Sequence, residues 1–201
     1  MGKIVVCTMV SIDGYTEGRG GDVMALPLDE AFARHNEDRV RSASSFLLGA
    51  TTYRGFLTYW PQQHDDPDAS PLDRYIAGRY ADGIPLTVVS DSLTPDDTGP
   101  WRDQTTIVPR RDAQQAVARL RERDGDALIF GSRTLWTDLV AQGLVDELHL
   151  MIGPRIVAGD QHVFAGVPQT DLKLIGVRTW AGSDNVVLSY ATDSARAGQV
   201  R

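Results

Sequence analysis

The sequence predicts an α/β protein built on a mostly parallel sheet with helices on both faces. Short segments rich in β-branched and apolar residues alternate along the chain with longer segments of helical periodicity. Such alternation is typical of parallel sheets, because a strand that returns in the same direction needs a crossover, usually a helix. Only Gly182-Ser183-Asp184 and its neighbours separate the last two strand-like segments, Leu172–Trp180 and Asn185–Thr192, which predicts an antiparallel pair at one edge.

The first half of the chain predicts three strands and three helices. Lys3–Ser11 is β-branched and apolar and ends at a turn signal, Asp13-Gly14, so it predicts a buried strand. The glycine-rich segment Tyr15–Met24 predicts a mobile loop. Pro27 followed by two acids predicts a helix start, and the helix continues to about Ser42. The next elements are a strand at Ser45–Gly49, a helix at Thr51–Trp60 that Pro61 ends, a polar loop at Gln62–Ser70, a helix at Leu72–Tyr80 and a strand at Pro85–Ser90.

The second half continues the alternation without a repeat or a domain linker. A turn-rich segment at Asp91–Gly99 comes first, and Gly143 closes the last helix as a C-cap. The elements between and after are a strand at Gln104–Val108, a helix at Asp112–Glu122, a strand at Ala127–Phe130, a helix at Arg133–Gln142 and a strand at Val145–Ile152. We expect one domain over residues 1–193 and a disordered tail over residues 194–201.

Composition and charge exclude several classes of protein. The net charge of −7 argues against a nucleic-acid-binding protein, whose footprint is a basic patch. The longest apolar run is too short to span a membrane, and Ile4–Val10 lacks a signal-peptide cleavage site, so we expect a cytoplasmic protein. A single cysteine, Cys7, excludes an internal disulfide and is expected to act as a small buried hydrophobe. The four histidines show no metal-ligand spacing, so no metal site is predicted.

Three strand-to-helix junctions are candidates for ligand binding, because open α/β sheets bind ligands at the carboxyl ends of their strands. At Ile129–Leu135 a strand runs into Gly131-Ser132 and then a helix, whose exposed N–H groups and dipole suit a phosphate. Gly49-Ala50-Thr51-Thr52 repeats this pattern, and the third junction follows Ser90. Each junction has a simpler interpretation, in which Ser132 or a threonine only caps its helix and Ser90 only caps a turn.

Two other residues are candidates with simpler alternatives. Asp29 at a helix start is either a proton donor or substrate anchor, or a carboxylate that only offsets the helix dipole. Trp60 either forms the wall of a pocket for a flat ligand or packs in the core.

These motifs together resemble the dihydrofolate-reductase-like superfamily, and most of all the branch named for the reductase domain of riboflavin biosynthesis. The resemblance covers nearly the whole chain, with its motifs in the family's order. They are Ser11–Tyr15, Leu48–Tyr53, Tyr59–Pro61, Val89-Ser90, Phe130–Leu135 and Gly143–Leu148.

The resemblance implies a three-layer fold with a mixed, mostly parallel sheet of about eight strands, hydride transfer from NADPH, a small-molecule substrate and a homodimer. It also implies that the loop Tyr15–Met24 covers the nicotinamide and the substrate. Asp29 would be the catalytic, substrate-side carboxylate, and Asp13 and Trp60 would contact the substrate. The implied cofactor-binding residues are Gly49, Thr51, Thr52, Ser90, Arg110, Gly131, Ser132, Arg133, Thr134 and Leu135.

Two positions depart from the family's pattern. Ala50 and Asp91 stand where the family often has arginines that bind the 2′-phosphate of NADPH. We expect Arg110, Arg111 or Arg133 to supply that charge, with NADH or a deazaflavin as open alternatives. A second functional hypothesis is a non-catalytic, dimeric nucleotide-binding module that keeps the fold without the chemistry.

Overall fold

The computed structural model describes residues 2–192, and the tail predicted over residues 194–201 lies outside them. Eight strands form one sheet, which confirms the predicted mixed α/β architecture. The strands are β1 (Ile4–Ser11), β2 (Ala43–Gly49), β3 (Leu86–Val89), β4 (Thr105–Val108), β5 (Asp126–Phe130), β6 (Glu147–Gly153), β7 (Leu172–Thr179) and β8 (Val186–Thr192). Their order is β4-β3-β2-β5-β1-β6-β8-β7, and only the pairings of β8 with β6 and β7 are antiparallel.

Helices cover both faces of the sheet and divide the core in two. They are α1 (Glu30–Ser42), α2 (Ala50–Asp65), α3 (Pro71–Ala81), α4 (Ala113–Arg121) and α5 (Arg133–Ala141). Side chains of β1 alternate between the two faces, as strand geometry requires. Val6 belongs to the same buried cluster as Trp136 of α5, whereas Val5 belongs to the cluster that contains Tyr80 of α3. The result is three layers, with α1–α3 on one side and α4 and α5 on the other.

The strand order places two strand-to-helix junctions side by side. β5 lies between β1 and β2, although it comes fourth after β1 along the chain. The carboxyl ends of β2 and β5 are therefore neighbours, and so are the first turns of α2 and α5. Such a reversal of strand order is where open α/β sheets usually bind ligands.

Helix α2 differs from its prediction, because it passes through Pro61 and ends at Asp65. Proline removes one backbone donor and clashes with the preceding turn, which is why the sequence predicts an end there. Packing outweighs this loss: the indole of Trp60 stacks on Tyr80 of α3 at 5.9 Å between ring centroids. The first residues of the predicted loop after Pro61 are consequently helical.

The segment Gly143–Leu148 connects β1, α4 and β6 through hydrogen bonds and an ion pair. Gly143 takes a φ of +66°, and the N–H of Leu144 donates to the carbonyl of Leu139, so the predicted glycine C-cap is confirmed. Asp146 is 8% exposed and accepts a 2.8 Å hydrogen bond from the N–H of Ile4. Its two oxygens also accept bonds of 3.1 and 2.9 Å from the guanidinium of Arg121.

No helix among residues 2–192 is long and apolar enough to cross a membrane.

Candidate active site

A cleft of about 680 Å³ opens where β2, β3 and β5 end and where α2 and α5 begin. The structure brings nearly all of the predicted cofactor-binding residues to it. Gly131 lies at the same junction but is outside the set of described residues that line the cleft. The predicted residues that line it are Gly49, Thr51, Thr52, Ser90, Arg110, Ser132, Arg133, Thr134 and Leu135.

Two hydrogen bonds join the two junctions at the floor of this cleft. The backbone N–H of Gly49 donates to Oγ of Ser132 over 2.9 Å. The backbone N–H of Ser132 donates in turn to Oγ1 of Thr52, also over 2.9 Å. The hydroxyls of Ser132 and Thr52 thus bond from one junction to the other, and neither caps its own helix.

The first turns of α2 and α5 are left without side-chain caps. Within the described part of the chain, the helix-capping positions Gly49 and Ser132 make no side-chain hydrogen bond to their own helices. Ser132 does stand at the N-cap position of α5, but its hydroxyl makes no capping bond to that helix. Since the leading N–H groups of a helix have no partner within the helix, two positive helix ends face one cleft. That arrangement suits an anion with two phosphate groups.

The β5–α5 junction has an unusual backbone. Gly131 has a φ of +54° and Ser132 a φ of +48°, a region that residues other than glycine rarely adopt. The hydrogen bonds to Gly49 and Thr52 hold Ser132 in this conformation. A side chain at Gly131 would also meet Thr52, because a Cβ atom there lies 3.2 Å from Oγ1. Strain of this kind is concentrated at functional sites.

Charges of both signs lie around the cleft. Oδ1 of Asp91 accepts a 2.9 Å hydrogen bond from the N–H of Arg110, and Oδ2 lies 3.8 Å from Nε of the same residue. Arg110 thus offsets the carboxylate that the sequence places beside the expected 2′-phosphate site. Arg111 pairs instead with Asp112 at 3.7 Å, outside the described residues that line the cleft.

Ser90 and Arg133 line the cleft but also have partners within the protein. Oγ of Ser90 is an acceptor for the N–H groups of Ser92 and Leu93, at 3.1 and 3.0 Å, so the hydroxyl stabilises the turn after β3. The guanidinium of Arg133 donates to Gln161, which lines the same cleft.

Several residues that line the cleft were not predicted from the sequence, among them Arg54, Asp138 and Gln161. Arg54 lies three residues after Thr51 on α2, so helical periodicity could have identified it. Asp138 lies on the same face of α5 as Thr134, four residues further along, so the same reasoning applies to it. Gln161 comes from a long loop, and no local sequence pattern indicates its position.

The glycine-rich segment after β1 is fastened to the loop after β6. It contains two short 3-10 turns, Arg19–Gly21 and Val23–Ala25. The N–H of Gly20 donates to Asp160 over 2.7 Å. Glu17 of this segment lines the cleft, so part of the loop that is expected to cover the nicotinamide and the substrate reaches the cleft.

Asp29 lines a second cleft of about 430 Å³, between the start of α1 and the turn before β8. One carboxylate oxygen accepts a 3.0 Å hydrogen bond from the N–H of Phe32, so Asp29 caps α1. The other accepts a bond from the hydroxyl of Ser183. Burial alone would raise the pKa of Asp29, but these hydrogen bonds and one from Asn185 lower it below its ordinary value. The carboxylate is therefore ionised at neutral pH, which favours a role as an anchor over a role as a proton donor.

The two residues predicted to contact the substrate lie elsewhere. The carboxylate of Asp13 accepts hydrogen bonds from the N–H groups of Val157 and Ala158, at 3.2 and 2.9 Å, and so fixes the loop after β6. Trp60 packs between α2 and α3 against Tyr80, and the structure brings it to neither of these two clefts. The core-packing interpretation of Trp60 therefore describes its surroundings better.

Comparison with known families agrees with this geometry. A family model described as the RibD C-terminal domain matches residues 2–188. The chain belongs to the RibD C-terminal domain family. The resemblance predicted from the sequence motifs is thereby confirmed.

Individual relatives of this RibD C-terminal domain are distant. The chain is 24% identical over 191 residues to the uncharacterized protein YyaP of Bacillus subtilis strain 168, with 89% of each covered. It is similar to the structure of a Shewanella sp. PV-4 protein with a proposed role in riboflavin biosynthesis. The TM-score is 0.68 at 16% identity, over 94% of this chain and 98% of the other. Dihydrofolate reductase of Enterococcus faecalis, solved with NADP(H) and RAB-propyl, matches with a TM-score of 0.57 at 12% identity, over 96% and 97%. These likenesses confirm the dihydrofolate-reductase-like fold.

Proposed function

We propose that the protein is an NADPH-dependent reductase that transfers a hydride to a small heterocyclic or ribosyl substrate. The substrate class is a pyrimidine-ribityl or pterin-like compound, and the reaction resembles that of 5-amino-6-(5-phosphoribosylamino)uracil reductase or dihydrofolate reductase. The observation that carries the proposal is the pair of uncapped helix N-termini, joined at one cleft by Ser132 and Thr52. Membership of the RibD C-terminal domain family supports it.

The residues of the cleft fit a dinucleotide cofactor. The first turns of α2 and α5 offer N–H donors and positive dipole ends to the two phosphates of a pyrophosphate. Arg133 and Arg110 add positive charge on two sides of the cleft, and Arg110 is the side chain we assign to the 2′-phosphate. When bound, the nicotinamide supplies the hydride, and the protein positions it.

The ionised carboxylate of Asp29 has a separate role in this proposal. It anchors a polar group of the substrate from the start of α1, where Ser183 holds one of its oxygens. The proton that the reduced substrate takes up then comes from solvent, because the lowered pKa leaves Asp29 without a proton to donate near neutral pH.

Cofactor binding tests the first half of the proposal. We expect saturable binding of NADPH, measured by calorimetry or by nicotinamide fluorescence. Replacement of Gly131 by Val should abolish it, because the residue has a positive φ and its Cβ would press on Thr52. Gly55→Ala is the matched control, since Gly55 lies on α2 with open space around it and should bind normally. Absence of saturable binding of both NADPH and NADH by the folded wild-type protein would rule out the proposal.

Turnover separates the reductase from a non-catalytic binding module. Oxidation of NADPH with any member of a panel of pterins, flavins and aminopyrimidines supports the reductase. Tight cofactor binding without turnover across that panel would instead favour the non-catalytic module.

The protein is also expected to act as a homodimer, and the edge strand β7 offers a surface for a second copy. Leu174, Ile175 and Val177 on this strand are 51%, 46% and 60% exposed. Exposed apolar edge strands are otherwise prone to uncontrolled pairing with other chains. Light scattering of the wild-type protein and of Val177→Lys tests this: a dimer that becomes a monomer supports it, and a wild-type monomer contradicts it.

A further inference from the structure

Three potential metal ligands meet in the core on the opposite side of β1 from α5. Cys7 lies on β1 and His149 is its register partner on β6, while His35 reaches them from α1. One ligand atom from each residue lies within 4.8 Å of the others. The two imidazole centroids are 5.9 Å apart. The three positions are far apart in sequence, so the spacing of the histidines gives no sign of this cluster.

The cluster is buried, and three of its four ring nitrogens have no hydrogen-bond partner among the described residues. Cys7, His35 and His149 are only 3%, 6% and 6% exposed. Among the residues that the structure describes, none forms a hydrogen bond with either ring nitrogen of His35 or with Nδ1 of His149. Buried polar groups without partners are costly and rare in native proteins, so three such nitrogens beside a thiol call for an occupant.

We propose that Cys7, His35 and His149 form a buried site for one thiophilic metal ion, Cu⁺ or Zn²⁺. A thiolate with two imidazoles is a ligand set that both ions accept in proteins. The site would be separate from the cofactor cleft, with which it shares no residue. It does not depend on the proposed reductase activity.

A neighbouring carboxylate already orients one ligand. Nε2 of His149 lies 2.9 Å from Glu147, which also binds Lys3 at 2.6 Å. Nδ1 of the same ring has no hydrogen-bond partner among the described residues, so it is the nitrogen left free for a metal. Metal-bound histidines usually have such a carboxylate on their second ring nitrogen.

Ligand distances require only a small adjustment. Bonds of about 2.3 Å to sulfur and about 2.0 Å to nitrogen place ligand atoms roughly 3.5 to 3.7 Å apart in a trigonal site. The ligand atoms lie within 4.8 Å of one another, so they must approach by about 1.3 Å at most to form a trigonal site. Three protein ligands complete a trigonal Cu⁺ site, whereas Zn²⁺ takes a fourth ligand, a water molecule.

The thiol of Cys7 must lose its proton on binding, because a thiolate rather than a thiol is the metal ligand. On binding, the thiol forms a sulfur–metal bond and releases its proton to solvent, so one proton is lost for each ion bound.

The experiment uses the tag-free wild-type chain, loaded with Cu⁺ under anaerobic conditions, with Zn²⁺, or with Co²⁺ as a spectroscopic substitute for Zn²⁺. Each ion is added to the native protein and, because the site is closed to solvent, also during refolding. We expect one tightly bound ion per chain, a raised melting temperature and a thiolate-to-metal charge-transfer band. Cys7 is the single cysteine of the chain, so that band has one possible source.

Variants distinguish the buried site from surface histidines. Cys7→Ala should abolish the charge-transfer band and weaken binding at least tenfold. His35→Leu should also weaken binding at least tenfold. The metal-free form of this variant should keep or gain thermal stability, because an unsatisfied imidazole is removed. His64→Gln is the control, since His64 is exposed on α2 and should not affect binding.

The outcomes are distinct. Stoichiometric binding of either ion with the thiolate band supports the proposal, and the comparison of Cu⁺ with Zn²⁺ identifies the resident ion. The proposal is overturned if wild-type protein shows no band and no stabilisation by either route of loading. It is also overturned if His35→Leu binds as tightly as wild type, because the ion would then be held by other residues.

Discussion

The backbone N–H of Ser132 is joined to Oγ1 of Thr52 by a 2.9 Å hydrogen bond, across 80 residues of sequence. With the bond from Gly49 to Oγ of Ser132, it holds the first turns of α2 and α5 at a fixed separation. Binding of one pyrophosphate by two helix ends requires such a fixed separation, because misplacement by even 1 Å weakens every contact.

Thr52→Val tests this connection, because valine keeps the shape of threonine and removes the acceptor. We expect a loss of about 1 kcal/mol in the free energy of unfolding, the usual net contribution of one hydrogen bond. NADPH affinity should fall roughly tenfold as the junctions lose their relative position. Denaturant unfolding and calorimetric titration measure the two effects.

Thr51→Val is the control for that substitution. Thr51 lines the same cleft but is exposed and makes no bond across it among the described contacts. The free energy of unfolding should stay within about 0.5 kcal/mol of wild type. Equal losses of stability in the two variants would contradict a specific role for Thr52.

Ser132 allows backbone strain and side-chain bonding to be separated. Ser132→Ala and Ser132→Gly both remove the hydroxyl that accepts from Gly49. Glycine also relieves the φ of +48°, which costs other residues roughly 1 kcal/mol or more. We therefore expect Ser132→Gly to be the more stable variant by about 1 kcal/mol in thermal or denaturant unfolding. The opposite order would show that Ser132 is not strained in solution.

The sequence allowed the sheet, most of its helices and the strand-to-helix junctions to be predicted, because these depend on local patterns. Short runs of β-branched and apolar residues identify the strands, and Gly49 and Gly131 mark the junctions. Contacts between distant segments were the part that could not be predicted. Helix α2 continues past Pro61 because Trp60 stacks on Tyr80 of α3. Likewise, the pairing of β1 with β6 brings His149 beside Cys7, which no spacing rule for metal ligands detects.

Cofactor preference should depend on the opposing charges of Arg110 and Asp91. Arg110→Gln should weaken binding of NADPH roughly tenfold, because it removes a cation from the proposed 2′-phosphate site, and should leave NADH binding unchanged. Asp91→Asn should strengthen NADPH binding, since it removes a repelling carboxylate. Dissociation constants for both cofactors, measured at low and high salt, test these changes.

Arg111→Gln is the matched control for Arg110→Gln, since it removes the same charge one residue further along the chain. Arg111 pairs with Asp112 and should have little effect on either cofactor. If the two arginine variants lowered NADPH affinity equally, a general effect of net charge would replace the proposed local contact.

Asp146 should be among the carboxylates that matter most for stability. It is buried, accepts from the N–H of Ile4, and forms a two-point ion pair with Arg121. Removing the carboxylate leaves the N–H of Ile4 without its acceptor and the partly exposed guanidinium of Arg121 without its ion-pair partner, so Asp146→Ala should cost about 2–3 kcal/mol in the free energy of unfolding. Arg123→Ala, an exposed arginine two residues after Arg121, should cost less than about 0.5 kcal/mol. A small effect of Asp146→Ala would mean that water replaces the carboxylate.

Asp29 combines two roles that substitution can separate. As the cap of α1, it should lose about 1 kcal/mol of stability when replaced by Ala but little when replaced by Asn, which is an equally good cap. As the proposed substrate anchor, it should lose kcat/KM in both variants while NADPH affinity is unchanged. Wild-type turnover of the Asp29→Asn variant would show that the role of Asp29 is structural only.

The pH dependence of stability provides an independent check on the state of Asp29. Its hydrogen bonds lower the pKa of the folded form below that of the unfolded form, despite the opposing effect of burial. Its contribution to stability is therefore complete above the unfolded pKa of about 3.9 and is lost as the pH falls through the lower, folded pKa. The difference in stability between wild type and Asp29→Ala should thus be constant near neutral pH and shrink below about pH 4. A difference that instead grew on acidification would mean that folding favours the protonated carboxyl, and Asp29 would then be available as a proton donor.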